Sequence, residues 1–141
     1  MTELPGGEPV LDDEFLYRRI PVSTNWYEAK RIPPLEPEAF RPNRNDDTGI
    51  SVSRAKYKTI DQAAIGRAGK QYFVAVFRAG DIRAAGMEIA ARPLLDDPSH
   101  AEITSLTYDN RKSKEAIQWR ATLAEQLCLR VEGPFATPAS S

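Results

Sequence analysis

The 141-residue chain reads as an α+β domain: a curved, mostly antiparallel sheet of about five strands, packed by one long C-terminal helix and two short ones. Three observations predict this. Short alternating or continuous apolar runs recur between turn residues, as strands do. An apolar stripe at helical spacing follows Ser113. The nine residues between Phe77 and Met87 are too few for an ordinary parallel crossover, which points to bent, antiparallel strands instead of a doubly wound sheet.

Phe15–Ile20 is bulky and stops at Pro21, giving a first strand. Pro21 to Pro37 holds four prolines around Trp26-Tyr27 and reads as a long loop pinned to the body by its aromatic pair. Ala39–Pro42 is expected to be extended. Asn43–Gly49 is a strong turn signal, and Ile50–Ser53 alternates as a second strand. Thr59 and Gln62 have the spacing of a capping box and open a short helix that Gly69 closes. Gln71–Phe77 is the strongest strand, apolar enough to be covered on both faces. Ala79–Ala85 is a short helix closed by Gly86; Met87–Ala91 and His100–Leu106 are further strands. Ser113–Arg130 is expected to be the long helix, with Ile117, Ala121, Ala124, Cys128 and Val131 facing inward, Leu123 and Leu127 widening the stripe, and Gly133-Pro134 ending it. The division that follows is an acidic, loosely ordered tail over 1–14, one domain over 15–133 and a flexible tail over 134–141.

Composition narrows the function classes. One cysteine, Cys128, allows no internal disulfide and suits a reducing compartment. The N-terminal residues lack a secretory pattern, and no apolar run approaches the roughly 20 residues of a membrane span, so a cytoplasmic, bacterial-style protein is expected. One histidine and one cysteine leave no basis for a metal site, and no cofactor motif is present. His100-Ala101-Glu102 matches half of the zinc-deaminase pattern, whose cysteine pair is missing. There is no phosphate loop, no dinucleotide fingerprint and no nucleophile elbow. Met1–Glu14 carries five of the 20 acidic residues and no base, which leaves 15 acids against 19 bases in the body.

The candidate site is a strand face. His100 and Glu102 share one face of their strand, and Ser51 and Ser53 share one face of theirs. Arg18 and Arg19 leave the first strand on opposite sides, so one of them needs a carboxylate or an anionic ligand, Asp46 or Asp47 being the carboxylates at hand. Arg18, Arg19, Asp46, Ser51 and His100 are the expected ligand-binding residues. The bland reading of the same set is a group of structural ion pairs and strand polar residues, with Glu102 paired to a base across the sheet. A second set, Arg41, Arg44, Arg54, Lys56 and Lys58 with Phe40 and Tyr57 interleaved, could track a nucleic-acid backbone, with Arg111, Lys112 and Lys114 as a further cluster. The sequence pI near 5.9 argues against a dedicated binder.

Two resemblances bear on this surface. Arg19 (or Arg18), Ser51 and Glu102, on three successive strands, resemble the R-S-E arrangement of ADP-ribosyltransferase-like enzymes. That resemblance implies an NAD-binding arginine, a pocket serine and a glutamate orienting the acceptor, with His100 a further candidate. The usual S-T-S form is absent here. The second covers Phe15 to Ile103. Leu16-Tyr17-Arg18-Arg19-Ile20, Phe40-Arg41-Pro42 with Asp47-Thr48-Gly49-Ile50-Ser51-Val52, and His100-Ala101-Glu102-Ile103 resemble the L-Y-R-R-[IV], F-x-P…D-x-G-[IL]-S-V and H-A-x-[IV] elements of a group of short uncharacterised bacterial proteins. It implies a shared fold and no activity. The expected function is an accessory or interaction module that binds a protein partner or an anionic ligand. A nucleotide-using transferase is the alternative, and a nucleic-acid-binding protein the second.

Overall fold

The computed structural model describes residues 4–138. Six strands form one open sheet: β1 (Phe15–Pro21), β2 (Ile50–Arg54), β3 (Gln71–Arg78), β4 (Ile89–Ala91), β5 (His100–Ile103) and β6 (Arg130–Ala136). Their spatial order is β4-β5-β2-β1-β3-β6, and every pairing is antiparallel. The α+β class and the antiparallel sheet are as the sequence predicts. The strand count is one higher.

Alternation sorts the side chains. Leu16, Ile20, Ile50, Val52, Ala75, Phe77, Ala101 and Ile103 point to one face and are fully buried or nearly so. Onto them pack the short helix α2 (Ala79–Ala84), the long helix α3 (Lys114–Thr122) and a 3-10 turn over Pro37–Phe40. Phe40 meets Phe77 edge to face at 5.5 Å. Each such large side chain contributes about 1.5–3 kcal/mol by leaving water. The other face is covered only in part. The first short helix, α1 (Ile60–Ala63), and Ala64 pack on Tyr72 and Val74, with Tyr17 and Phe135 at the edge. The rest of that face lies open.

Several elements match their sequence signals. The capping box forms, with the Thr59 amide donating to Gln62 Oε1 at 2.9 Å. β3 is flanked on both sides, and Val74 through Phe77 are all buried. Tyr27 packs edge-on against Phe73 at 4.8 Å and pairs with Leu35 in an isolated bridge, which ties down the proline-rich loop.

Three differences stand out. The C-terminal helix stops at Leu127, its last turn wound as a π-helix, and Cys128 is already extended. The chain then runs back along β3 as β6, where a tail was expected after Pro134. Gly133 sits in this strand at φ +112°, beside a register shift opposite Tyr72 and Val74. Only glycine adopts that geometry readily, and an edge strand tolerates Pro134's missing N–H. Ala139–Ser141 lie outside the described residues.

Second, the buried stripe of α3 is Ala116, Arg120, Leu123 and Ala124, while Ile117 is half-exposed. Both registers fit helical spacing. Packing on the core makes the choice, and Ser113 starts the helix by accepting from the Ala116 amide at 3.0 Å. Cys128, expected on the helix stripe, lies past the helix and is half-buried against the core. Burial pushes its thiol pKa up. Third, Ala39-Phe40 belongs to the 3-10 turn and is not extended.

The segment before Phe15, expected to be loose, follows the body from Leu4 onward. Val10 is buried. Glu14 grips Arg54 through both carboxylate oxygens at 2.8 Å. Glu8 meets Lys56 at 3.0 Å, and Asp12 meets Arg83 at 2.8 Å. Residues 1–3 lie outside the described residues.

Candidate functional site

The site arises from a parting of strands. β1 and β2 are paired only at Leu16 with Arg54 and at Tyr17 with Ser53. Beyond Tyr17, β1 continues along β3, while Ile50–Val52 of β2 follow β5. Arg18 fills the wedge. Its Nη1 donates to the Ser51 carbonyl at 2.8 Å, and its Nε and Nη2 donate to the Ala39 carbonyl at 3.2 and 3.1 Å. Burial pushes the Arg18 guanidinium down to about 10; Asp46 opposes that shift and Arg19 adds to it. It remains charged at neutral pH. Among the described residues no carboxylate lies within 4.0 Å of it, so the expected pairing with Asp46 or Asp47 does not form. Asp46 instead caps the Asn43 amide at 2.8 Å.

Arg18 alternates with Leu16 and Ile20 toward the covered face, where Ala39 lies, and its wedge opens into a groove of about 1080 Å³ that is also lined by Tyr17, Arg19, Ser51, Ser53 and His100 of the other face. Arg19 projects over the Tyr72 ring, 5.0 Å from its centroid, and bonds the Ile65 carbonyl. Arg41, Lys58, Arg67 and Lys70 also line the groove; its acids are Asp46 and Asp97. Lys58 is spent on Asp97 at 3.1 Å, and Arg41 lies 3.8 Å from Glu38. Burial disfavours the Asp97 carboxylate, but bonds from Ser99 and Lys58 outweigh it and hold its pKa below the ordinary value. Arg67 and Lys70 form no ion pair among the described residues. The groove therefore carries a positive excess that the whole-chain charge of −1 conceals.

On the opposite wall Ser51 and His100 meet. His100 Nδ1 faces the Arg92 carbonyl at 2.9 Å. A carbonyl only accepts, so Nδ1 carries a proton, and of the two neutral tautomers this contact selects the one with its lone pair at Nε2. Ser51 Oγ lies 3.2 Å from that nitrogen, within reach to donate its proton to the lone pair of this tautomer.

All five expected ligand-binding residues, Arg18, Arg19, Asp46, Ser51 and His100, line this one groove. Glu102 does not. Its carboxylate accepts from Thr48 Oγ1 at 2.7 Å and from Arg92 Nε at 3.3 Å, so the third member of the R-S-E pattern is turned to other partners. The basic set divides. Arg54 is fully buried and donates to Glu14, Gly6 and Glu8, so it is not free to meet a nucleic acid. Lys56 is paired with Glu8, Arg44 stands outside the groove, and only Arg41 and Lys58 line it. Sequence reasoning missed Arg67 and Lys70, which an N-capped helix followed by a glycine turn brings to the rim.

No match was found among family models, curated proteins or solved structures. The groove's chemistry is thus read from its own residues. Among the described residues no group of three His, Cys, Asp or Glu is placed to hold a metal ion, and no helix is long and apolar enough to cross a membrane.

Proposed function

We propose that this protein is a small accessory module that binds an anionic, phosphate-bearing ligand in the groove lined by Arg18, Arg19, Asp46, Ser51 and His100, and that it works in the cytoplasm. One observation carries the reading. Arg18 is a guanidinium drawn into the protein and held by carbonyls, with no carboxylate within 4.0 Å of it among the described residues. Such a charge is costly to keep unless something anionic completes it. Its planar fork suits phosphate oxygens. Arg19, Arg67 and Lys70 would draw the same ligand in, and Asp46 would set its orientation by repulsion. The single cysteine supports a reducing compartment.

A thermal-shift panel of nucleotides, NAD, short single-stranded DNA and RNA, and inorganic phosphates tests this. A ligand that binds only the folded state raises Tm by mass action. The expected result is a rise with at least one phosphate-bearing compound that is absent in Arg19→Ala and Arg18→Met. A flat panel would refute it.

A further inference from the structure

The Ser51–His100 contact goes beyond binding. We propose that Ser51 is a nucleophile, activated by His100 as general base, that acts on phosphate esters held in the groove. This rests on the groove being an anion site.

Three features carry the inference. Ser51 Oγ lies 3.2 Å from Nε2, and with the proton on Nδ1 the hydroxyl donates to the Nε2 lone pair, which is the direction of proton transfer a nucleophile needs. The ring is held by a third group, the Arg92 carbonyl at 2.9 Å from Nδ1, which fixes the tautomer that leaves Nε2 basic. The backbone of the nucleophile is held by a cation, because Arg18 Nη1 donates to the Ser51 carbonyl at 2.8 Å. Ser51 is exposed, and it stands on a strand hydrogen-bonded to β5, so its position is rigid while its Oγ is open to a ligand. Glu102, directly across from Ser51, is tied to Thr48 and Arg92 and leaves the imidazole to the serine.

The chemistry closes on these groups and water. Ser51 Oγ attacks phosphorus as its proton passes to His100 Nε2. The Oγ–P bond forms, the P–O bond to the leaving alcohol breaks, and the imidazolium returns the proton to that oxygen. Water then attacks the phosphoserine, giving its proton to Nε2. The Oγ–P bond breaks, and Ser51 recovers the proton as phosphate departs. The groove's excess of cations offsets the negative charge that builds on the phosphoryl oxygens in both halves.

A fluorophosphonate probe, which offers electrophilic phosphorus with fluoride as leaving group, tests the step on the full chain by intact mass and peptide mapping. One adduct is expected, on Ser51, and none in Ser51→Ala. His100→Gln, with its melting temperature checked, should slow labelling by about 10²-fold or more. The unmodified protein, which needs no folding control, should label more slowly in heavy water because a proton moves in the step. Turnover of p-nitrophenyl phosphate should be lost in both variants. No adduct, an adduct elsewhere, an unchanged rate in a folded His100→Gln, or no heavy-water effect would each overturn the dyad. Pyrophosphate binding separates the two readings. A protein that binds pyrophosphate without labelling retains the groove and loses the nucleophile, whereas absent binding fails the groove reading itself.

Discussion

Replacing Glu14 with glutamine removes the charge that neutralises the most deeply buried cation in the molecule. Arg54 is 0% exposed, and the Glu14 side chain is only 8% exposed. The pair is bidentate, at 2.8 Å on both oxygens, and Arg54 also donates to the Gly6 and Glu8 carbonyls at 2.9 and 3.0 Å. Breaking a buried pair by removing one partner costs about 3–5 kcal/mol, because a charge is left uncompensated. Glutamine keeps one acceptor oxygen, which places Glu14→Gln near 3 kcal/mol, roughly a third of a typical domain's stability. For a chain of this size each kcal/mol moves Tm by about 3–5 °C, so a fall of about 10–15 °C is expected by differential scanning calorimetry near neutral pH. Lys56→Gln, which breaks only the exposed contact with Glu8, should leave Tm nearly unchanged. A fall of less than about 3 °C in Glu14→Gln would show that the carbonyls and the Glu8 carboxylate, 3.5 Å away, suffice to hold Arg54 and that the acidic segment is not anchored through this pair.

Further outcomes follow from the same geometry. Burial works against the Glu14 carboxylate, but the Arg54 fork and the Leu11 amide outweigh it and hold its pKa below the ordinary value; Tyr57, then Lys56, pull Glu8 down to about 2. A depressed carboxylate contributes stability that is present above its unfolded pKa of 4.5 and is lost as pH falls through the folded value. Tm should therefore drop on acidification below about 4.5, and less steeply in Glu14→Gln. Gly49→Ala would place a Cβ 2.7 Å from the Ile103 carbonyl at φ +149°, so it should destabilise the β2–β5 ladder by more than about 1 kcal/mol and weaken ligand binding beside Ser51. Ser113→Ala removes the cap on the Ala116 amide and should cost about 1 kcal/mol, read as a few degrees of Tm.

What the sequence made legible was what local pattern decides. Alternation marks Ile50–Arg54 and His100–Ile103, and it puts Ser51, Ser53, His100 and Glu102 on one face. β6 was hidden because Gly133-Pro134 reads as a stop, yet an edge strand with a bulge accommodates both. The α3 register was ambiguous because two sets of positions share the helical period, and tertiary packing chose between them. In the site, sharing a face did not settle what each polar group touches. Glu102 is as well placed by alternation as His100, but Thr48 and Arg92 claim it. The sequence leaves open which of Arg18 and Arg19 turns inward and whether a carboxylate or an anionic ligand meets it, because whether β1 and β2 stay paired past Tyr17 cannot be read from either strand alone. The acidic run before Phe15 looked solvated because its partners, Arg54, Lys56 and Arg83, lie 40 to 71 residues away in the chain.

Calorimetric titration with pyrophosphate tests whether an anion completes the charge of Arg18. Arg18→Met is compared with Arg120→Met, which alters another buried arginine, bonded to the Arg111 carbonyl and not lining the groove. The account predicts saturable binding to the unmodified protein that weakens as salt screens the groove, persists in Arg120→Met and is lost in a folded Arg18→Met. Equal binding in Arg18→Met and the unmodified protein, or heat from neither, would contradict it.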